Sequence, residues 1–312
     1  MIESIAIIDI GTNSIKFCIA KNTDGKITSM VDSMFTTRIG ENVQQTGMIS
    51  PSAMERNLKR IHELCNRSRQ AGVSRIIAIG TMIFRHATNS HIFIQKVQSL
   101  CGIHIHVLSG DDEARLSYLA ALSSINNISG SIAVLDTGGG STELTFGKDQ
   151  DLIKTMSFDI GAVILTEAYC TNDPVTQQEI EQIYNQVQQT INLYELSKSV
   201  NYFIRSCGAI TTMAAVKLKM SQYDPHLIHG SMLTRKDVQN QLNLFSSKTV
   251  RQREDIPGVQ KGRADIALAG ACIVESVMSQ LRVDQIIVCD RGLRYGVIYE
   301  FFRSKKGSLW RH

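Results

Sequence analysis

The sequence predicts an α/β protein of two domains, 1–124 and 125–312, each opening with a β-β-β meander and continuing as alternating α and β, with a ligand cleft between them. Three observations carry this expectation. First, the chain repeats itself at an offset of 127 residues: Ala6-Ile7-Ile8-Asp9-Ile10-Gly11-Thr12-Asn13-Ser14 lies over Ala133-Val134-Leu135-Asp136-Thr137-Gly138-Gly139-Gly140-Ser141, and Lys21 lies over Lys148. Second, apolar residues alternate with period two after each glycine turn and switch to helical spacing downstream. Third, 43% apolar and 20% charged residues over 312 positions supply core for about two domains.

Taken in order, Ala6 to Ile10 is an apolar strand, and Ile15, Phe17 and Ile19 alternate with Lys16 and Cys18 in a second. Asp24-Gly25 is a turn signal leading into a third strand over 27–35. Ser50-Pro51 opens a helix carrying Met54, Leu58, Ile61 and Cys65, and Gly72 stops it. A strand at 75–79 is extended by Gly80-Thr81 toward Arg85. A helix at 90–100, a strand at 103–108 and a helix opening at Ser109 follow. The second copy repeats the meander with Leu144 and Phe146, a turn at Asp149-Gln150-Asp151 and a strand at 152–158. Asp173-Pro174 opens a helix with Ile180, Ile183, Val187 and Ile191. A strand at 202–205 and a helix after Gly208 come next. Thr234 with Asp237 makes a capping box for Val238, Leu242 and Phe245. The segment 264–281 is apolar nearly all round, which predicts a core helix. A strand at 285–289 and a helix from Leu293 close the chain, and that helix is free to cross back onto the first domain.

Lys+Arg 33 against Asp+Glu 29 leaves a net charge of only +4, with no basic tail or stripe, so no nucleic-acid partner is expected. Seven scattered cysteines, none in C-x-x-C spacing, exclude a disulfide framework and a zinc cage and point to a reducing, cytoplasmic compartment. No apolar run is long enough to span a membrane.

Chemistry centres on the duplicated turns. Glycine lets a backbone approach a phosphate closely, and successive turn amides form an anion-binding concavity. Gly11, Thr12, Asn13 and Ser14 in one copy and Gly138, Gly139, Gly140, Ser141 and Thr142 in the other are therefore candidate phosphate binders. Asp9 and Asp136 can hold a divalent cation directly or through water. Ser109-Gly110-Asp111-Asp112-Glu113-Ala114-Arg115 opens a helix, where acids also simply favour the helix dipole. Arg85 falls at the sheet edge that holds Asp9 and Ser109. His104 and His106 share a strand face, and no third metal ligand accompanies them.

In this order the segments resemble the exopolyphosphatase/guanosine pentaphosphatase phosphatases, in their short two-domain form, within the actin-like, sugar-kinase-like superfamily. The resemblance covers essentially the whole chain. It rests on Asp9 to Ser14, Gly80-Thr81 with Arg85, Ser109 to Arg115, Asp136 to Leu144, Ser206-Cys207-Gly208, Arg263-Ala264-Asp265 and Gly292-Leu293-Arg294-Tyr295-Gly296. Met82-Ile83 and Asn42 depart from it, Asn42 standing where a glycine is frequent.

The resemblance implies two ribonuclease-H-like domains and hydrolysis of a terminal phosphoanhydride, with inorganic polyphosphate or pppGpp as substrate. Glu113 matches the general base, Arg85 a phosphate-binding arginine, and Asp136 and Glu143 the acids near Mg2+ and the attacking water. Gly208 and Arg263 join the substrate-binding set. Mg2+ is the implied cofactor, with a monovalent cation such as K+ as a further candidate. No nucleic-acid or membrane partner is implied, and a homodimer is left open. Lys248, Arg251, Arg253, Lys261, Arg263, Arg291 and Arg294 are candidate cations along a polyphosphate path on the second domain. A kinase of the same superfamily and a non-catalytic nucleotide or polyphosphate sensor are the rival readings.

Overall fold

A computed structural model describes residues 3–125, 128–149, 151–193, 200–206, 208–260, 262–303 and 310. Cys207 and Lys261, both named above, lie outside the described residues. The chain divides into two compact units, one formed by residues 1–120 with 293–312 and the other by 121–292. The expected boundary at 124/125 thus falls at 120/121, and the closing helix groups with the first unit.

The first unit contains β1 (Glu3–Ile10), β2 (Ser14–Thr23), β3 (Lys26–Thr36), α1 (Val43–Thr46), α2 (Pro51–Gln70), β4 (Arg75–Gly80), α3 (Met82–His86), α4 (Ser90–Cys101), β5 (Ile105–Val107) and most of α5 (Gly110–Ser124), whose last residues pass the boundary. Its sheet runs β3-β2-β1-β4-β5. The first three strands are the antiparallel meander, and β4 and β5 run parallel to β1. Asp24 and Gly25 both take positive φ in the hairpin that returns β2 into β3, as an Asp-Gly turn demands. Alternation along β1 sends Ala6, Ile8 and Ile10 into one core and Ile5 and Ile7 into another, so both faces of the sheet are covered.

The second unit contains β6 (Ser131–Thr137), β7 (Thr142–Lys148), β8 (Asp151–Phe158), α6 (Ala162–Tyr169), α7 (Gln177–Thr190), β9 (Tyr202–Ser206), α8 (Gly208–Lys217), α9 (Pro225–Ile228), β10 (Met232–Thr234), α10 (Arg235–Ser246), α11 (Val250–Glu254), α12 (Ala267–Leu281) and β11 (Gln285–Cys289). Its sheet runs β10-β11-β9-β6-β7-β8, so β8-β7-β6-β9-β11 repeats the order of the first sheet and β10 is an added edge. The predicted core helix is α12, buried almost all round and packed against α6, α7, α8 and α10.

The closing helix, α13 (Leu293–Arg303), packs on β1 and β2. At Gly296 it comes so near α5 that a Cβ would stand 2.1 Å from the carbonyl oxygen of Leu116. That approach is available only to glycine, and it is the physical reason the helix belongs with the first unit.

Several elements differ from the sequence reading. Residues 81–86 do not prolong the strand: β4 stops at Gly80 and α3 carries Arg85. The strand over 103–108 contracts to Ile105–Val107, because β5 is an edge strand paired only with β4. Helix α7 begins three residues beyond Pro174, after the N-cap Thr176, whose capping box with Glu179 outcompetes the proline signal. Helix α6 had no periodic signature in its eight residues.

Glu179 shows how firmly α7 is seated. Its Oε1 accepts from the Thr171 amide and hydroxyl and from the Asn172 amide, and its Oε2 accepts from the Thr176 amide and hydroxyl. Burial pushes this carboxyl up, but the donors of Thr171, Thr176 and Asn172 outweigh burial and hold it well below its ordinary value. Its stabilisation is therefore complete above the ordinary value of 4.5 and fades as pH falls toward the depressed folded value. Glu179→Gln is expected to cost about 1–3 kcal/mol at neutral pH. In denaturant titrations, the gap from wild type should narrow steadily on acidification below the ordinary carboxylate range.

Candidate functional site

Strands β1, β4 and β5 are parallel, so the segments leaving them share the carboxyl edge where α/β sheets hold ligands. The turn at 11–13 follows β1, Arg85 on α3 follows β4, and Glu113 in the first turn of α5 follows β5. Arg85 Nη1 donates to the Leu108 carbonyl at 2.7 Å and makes a short contact with the Glu113 carboxylate. Glu113 is buried, so the guanidinium is the charge that offsets the burial of its carboxylate. Arg85 Nε and Nη2 have no acceptor among the described residues.

The structure separates the three acids that the sequence left together. Ser109 Oγ accepts from the Asp112 amide at 3.1 Å and donates to its carboxylate at 2.7 Å, which commits Asp112 to capping. Asp111 is exposed. Only Glu113 turns inward onto an arginine.

The two glycine turns are built alike. The Gly11 amide donates to the Ser14 carbonyl at 3.1 Å, and the Gly138 amide to the Ser141 carbonyl at 2.8 Å. In the first copy the Thr12 carbonyl accepts from the Gly40 amide, and the Asn13 carbonyl from the Thr37 and Arg38 amides. In the second, the Gly138 carbonyl accepts from Ala162, and the Gly139 carbonyl from Val163 and Ile164, all in the first turn of α6. The turn carbonyls are thus pinned by a following segment. The amides of Thr12, Asn13, Gly139 and Gly140 have no protein acceptor among the described residues, and neither have the side chains of Asn13, Ser14 and Ser141. Such a nest presents donors to an anion. Asn42, in the loop that backs the first turn, has φ 58°, a left-handed conformation that asparagine tolerates and glycine favours.

The repeat also reveals a charge asymmetry. Asp9 stands opposite Lys16 across β1–β2, whereas Asp136 stands opposite Glu143 across β6–β7. Lys16 Nζ lies 3.7 Å from Asp9 Oδ2. Asp136 and Glu143 are both buried, and directly opposite residues share a sheet face about 5 Å apart at Cβ. Ser157 Oγ donates to Glu143 Oε1 at 3.1 Å. The register thus brings two buried acids side by side on one sheet face. One or two carboxylates, completed by water and phosphate oxygens, are the usual protein share of a Mg2+ site, so Asp136 and Glu143 fit that ion. Asp9 already has a cation beside it.

Other candidates are redistributed. Thr142 is fully buried and its hydroxyl donates to the Ile160 carbonyl at 2.7 Å, so that hydrogen holds the loop rather than a ligand. Gly208 begins α8 directly beneath the Arg263 guanidinium: a Cβ there would lie 2.3 Å from Arg263 Nη1. The expected row of surface cations breaks up. Arg253 is buried, with Nε donating to the Phe245 carbonyl at 2.6 Å. Arg294 belongs to the first unit and clasps Asp32 with two bonds of 3.1 and 2.9 Å. Arg251 is exposed, and Lys248 and Arg291 are half-buried.

Sequence reasoning missed Lys16, the amides of 37–40 and the start of α6. The offset of 127 places Lys16 over Glu143, so the first was there to be found. The backing segments carried no residue signal, since backbone amides do the work.

Among the described cysteines the thiols are held protonated by burial. Burial pushes the thiols of Cys18, Cys170 and Cys289 up to about 11 and that of Cys65 to about 12. His106 is pushed below its ordinary value by burial, then by His104 and Arg75. Among the described residues no three His, Cys, Asp or Glu side chains gather as a metal cluster, and no helix is long and apolar enough to cross a membrane.

The model of the Ppx/GppA phosphatase family matches residues 18–305. A bifunctional 3-dehydroquinate synthase/phosphatase of Fusobacterium nucleatum is 31% identical over 96% of this chain, which spans 47% of that protein's length. Exopolyphosphatase 2 of Mycobacterium tuberculosis is 28% identical over 94% of this chain and 97% of its own. The crystal structure of the Aquifex aeolicus Ppx/GppA family member superposes with a TM-score of 0.84 at 30% identity, covering 99% of this chain and 100% of that one.

Gly161 tests the pinned turn. A Cβ there would stand 2.5 Å from the Gly139 carbonyl carbon and oxygen, backbone atoms that cannot rotate aside. Gly161→Ala should cost about 1–3 kcal/mol of stability by overpacking. Titration calorimetry should also show weakened binding of inorganic phosphate, because the free amides move with the turn.

Proposed function

The chain belongs to the Ppx/GppA phosphatase family, and on that premise we propose that it is an exopolyphosphatase, hydrolysing the terminal phosphoanhydride of inorganic polyphosphate. The contact between Arg85 and Glu113, at the sheet edge that carries the first amide nest, is the observation that carries this reading. Glu113 takes a proton from water as the water oxygen attacks the terminal phosphorus. The anhydride P–O bond breaks and its electron pair leaves with the shortened chain. Arg85 keeps Nη1 on Glu113 and offers Nε and Nη2 to a phosphate oxygen, which holds base and phosphorus in one frame. The free amides of the glycine turns supply fixed donors to further phosphate oxygens.

Asp136 and Glu143 would hold Mg2+. When bound, that ion neutralises phosphate charge and orients the anhydride. In the first unit Lys16 does a related job without a metal, by balancing Asp9 beside the nest. Polyphosphate is favoured over pppGpp because relatives matched along most of their length, in Mycobacterium tuberculosis and Mycobacterium bovis, are named exopolyphosphatases. With several of the expected path cations buried or paired, a preference for short chains is the expected outcome.

Two experiments test this. Glu113→Gln should lower kcat at least a hundredfold for phosphate release while leaving binding of a non-hydrolysable polyphosphate within about threefold. Retention of more than about a tenth of wild-type kcat removes Glu113 from the role of base. Glu143→Gln should raise the Mg2+ concentration for half-maximal activity about tenfold or more, the size of effect that a weakened site gives. If Asp9→Asn raises it instead and Glu143→Gln does not, the cation is held in the first unit. Substrate choice is read from kcat/KM on short polyphosphate, long polyphosphate and pppGpp at one salt and Mg2+ concentration. A clear preference for pppGpp overturns the substrate, and phosphoryl transfer to an acceptor with no phosphate release overturns hydrolysis.

A further inference from the structure

Trp310 is the sole tryptophan, and it is almost wholly buried in the core that joins β1, β4, α5 and α13. Three contacts seat it. Its Nε1 donates to Glu300 Oε2 at 2.6 Å, its carbonyl accepts from Arg75 Nη1, and its ring meets the His106 ring edge-on at 5.6 Å. Glu300 is shared: its Oε1 accepts from Arg115 Nη1 at 2.6 Å. Arg115 in turn lies 3.7 Å from Asp112, the carboxylate that Ser109 caps. The chain of contacts therefore runs from Trp310 through Glu300 and Arg115 to the first turn of α5, which carries Glu113. Gly296, one helical turn before Glu300 on α13, presses on Leu116, the neighbour of Arg115, so packing and polar contacts bear on the same stretch of α5.

We propose that Trp310 is a positioning residue for Glu113, acting through Glu300 and Arg115 to fix the first turn of α5. This rests on the reading of Glu113 as the general base. Physically, Trp310 holds one carboxylate oxygen of Glu300, which leaves the other aimed at Arg115. Released from the indole, Glu300 gains rotamer freedom and the Arg115 tether to Asp112 loosens. Small displacements of a base from its near-attack position carry large rate penalties, up to about a hundredfold for 1 Å. Substrate affinity depends on the amide nests and Arg85, so the effect should fall on kcat.

The test uses Trp310→Phe, which keeps an aromatic ring beside His106 and removes the indole donor, and Glu300→Gln. Folded fraction is followed by circular dichroism and, because Trp310 is alone, by its fluorescence in every variant that keeps it. Each substitution should lower kcat about tenfold, with KM within about twofold. The two together should cost little more than either alone, since both cut one connection. In a Glu113→Gln background, Trp310→Phe should leave the residual rate unchanged. Unaltered kcat in folded Trp310→Phe and Glu300→Gln proteins overturns the proposal. So does a further loss when Trp310→Phe is added to Glu113→Gln, or a loss that falls on KM alone. If Glu113→Gln itself retains activity, the reading of the base has failed instead, and the kcat of Trp310→Phe still reports whether the anchor matters to turnover. Should Trp310→Phe not fold, Glu300→Gln carries the comparison, with its tryptophan emission reporting that the anchor is still docked.

Discussion

The features of both units that bear on chemistry depend on where the carbonyls of two short turns are sent. A strand–turn–strand crossing leaves several backbone groups without ladder partners, and buried groups of that kind need partners. Here the carbonyls at Thr12 and Asn13 are taken by the amides of residues 37–40, and those at Gly138 and Gly139 by the first amides of α6. With these four carbonyls taken from behind, the amides of the turns are left facing away from the backing segments. Gly161 follows from the same constraint, since it lets α6 approach the backbone of Gly139. The helix terminus at α6 is thus occupied in fixing the turn. The amides available to an anion lie one step removed from the helix, on a turn that the helix holds in place.

Duplication of the backbone did not duplicate the charges. The same register that sets Lys16 against Asp9 sets Glu143 against Asp136. One position therefore neutralises an aspartate in the first unit and doubles the negative charge in the second. Two identical nests of amides would attract phosphate equally. The shared register thus sets an acid–base pair beside the first turn and an acid–acid pair beside the second, without any difference in strand order.

Elements were legible where side chains determine them. The meanders, the Ser50-Pro51 helix start, the Thr234 capping box and the buried helix at 267–281 all rest on periodicity or on a cap that a residue type announces. The start of α7 was misplaced because two signals competed and the box of Thr176 with Glu179 binds more tightly than Asp173-Pro174 directs. Arg85 was read at the right edge but on the wrong element, since five residues of helix are too few to show a period. The row of basic residues was the least legible feature. Arg253 and Arg294 look like surface cations in sequence, and only tertiary contacts with Phe245 and Asp32 show that their charges are already engaged. The resemblance brought Glu113 and Arg85 forward separately; their contact is a matter of the β4 and β5 register.

That contact also explains why the residue is an arginine. A buried carboxylate needs a counter-charge, and a lysine would supply one. A lysine, however, is a point charge that must choose between the carboxylate and an incoming phosphate. The guanidinium is planar, with five donors in a fixed fork. Nη1 of Arg85 is committed to Leu108 and Glu113, which locks the plane, and Nε and Nη2 then point in directions set by that lock. An anion oxygen arriving there would take its place relative to the Glu113 carboxylate without either group giving up its partner. The ion pair thus fixes the distance between the Glu113 carboxylate and any oxygen that the remaining guanidinium donors would take, and that geometry is already built in the folded protein.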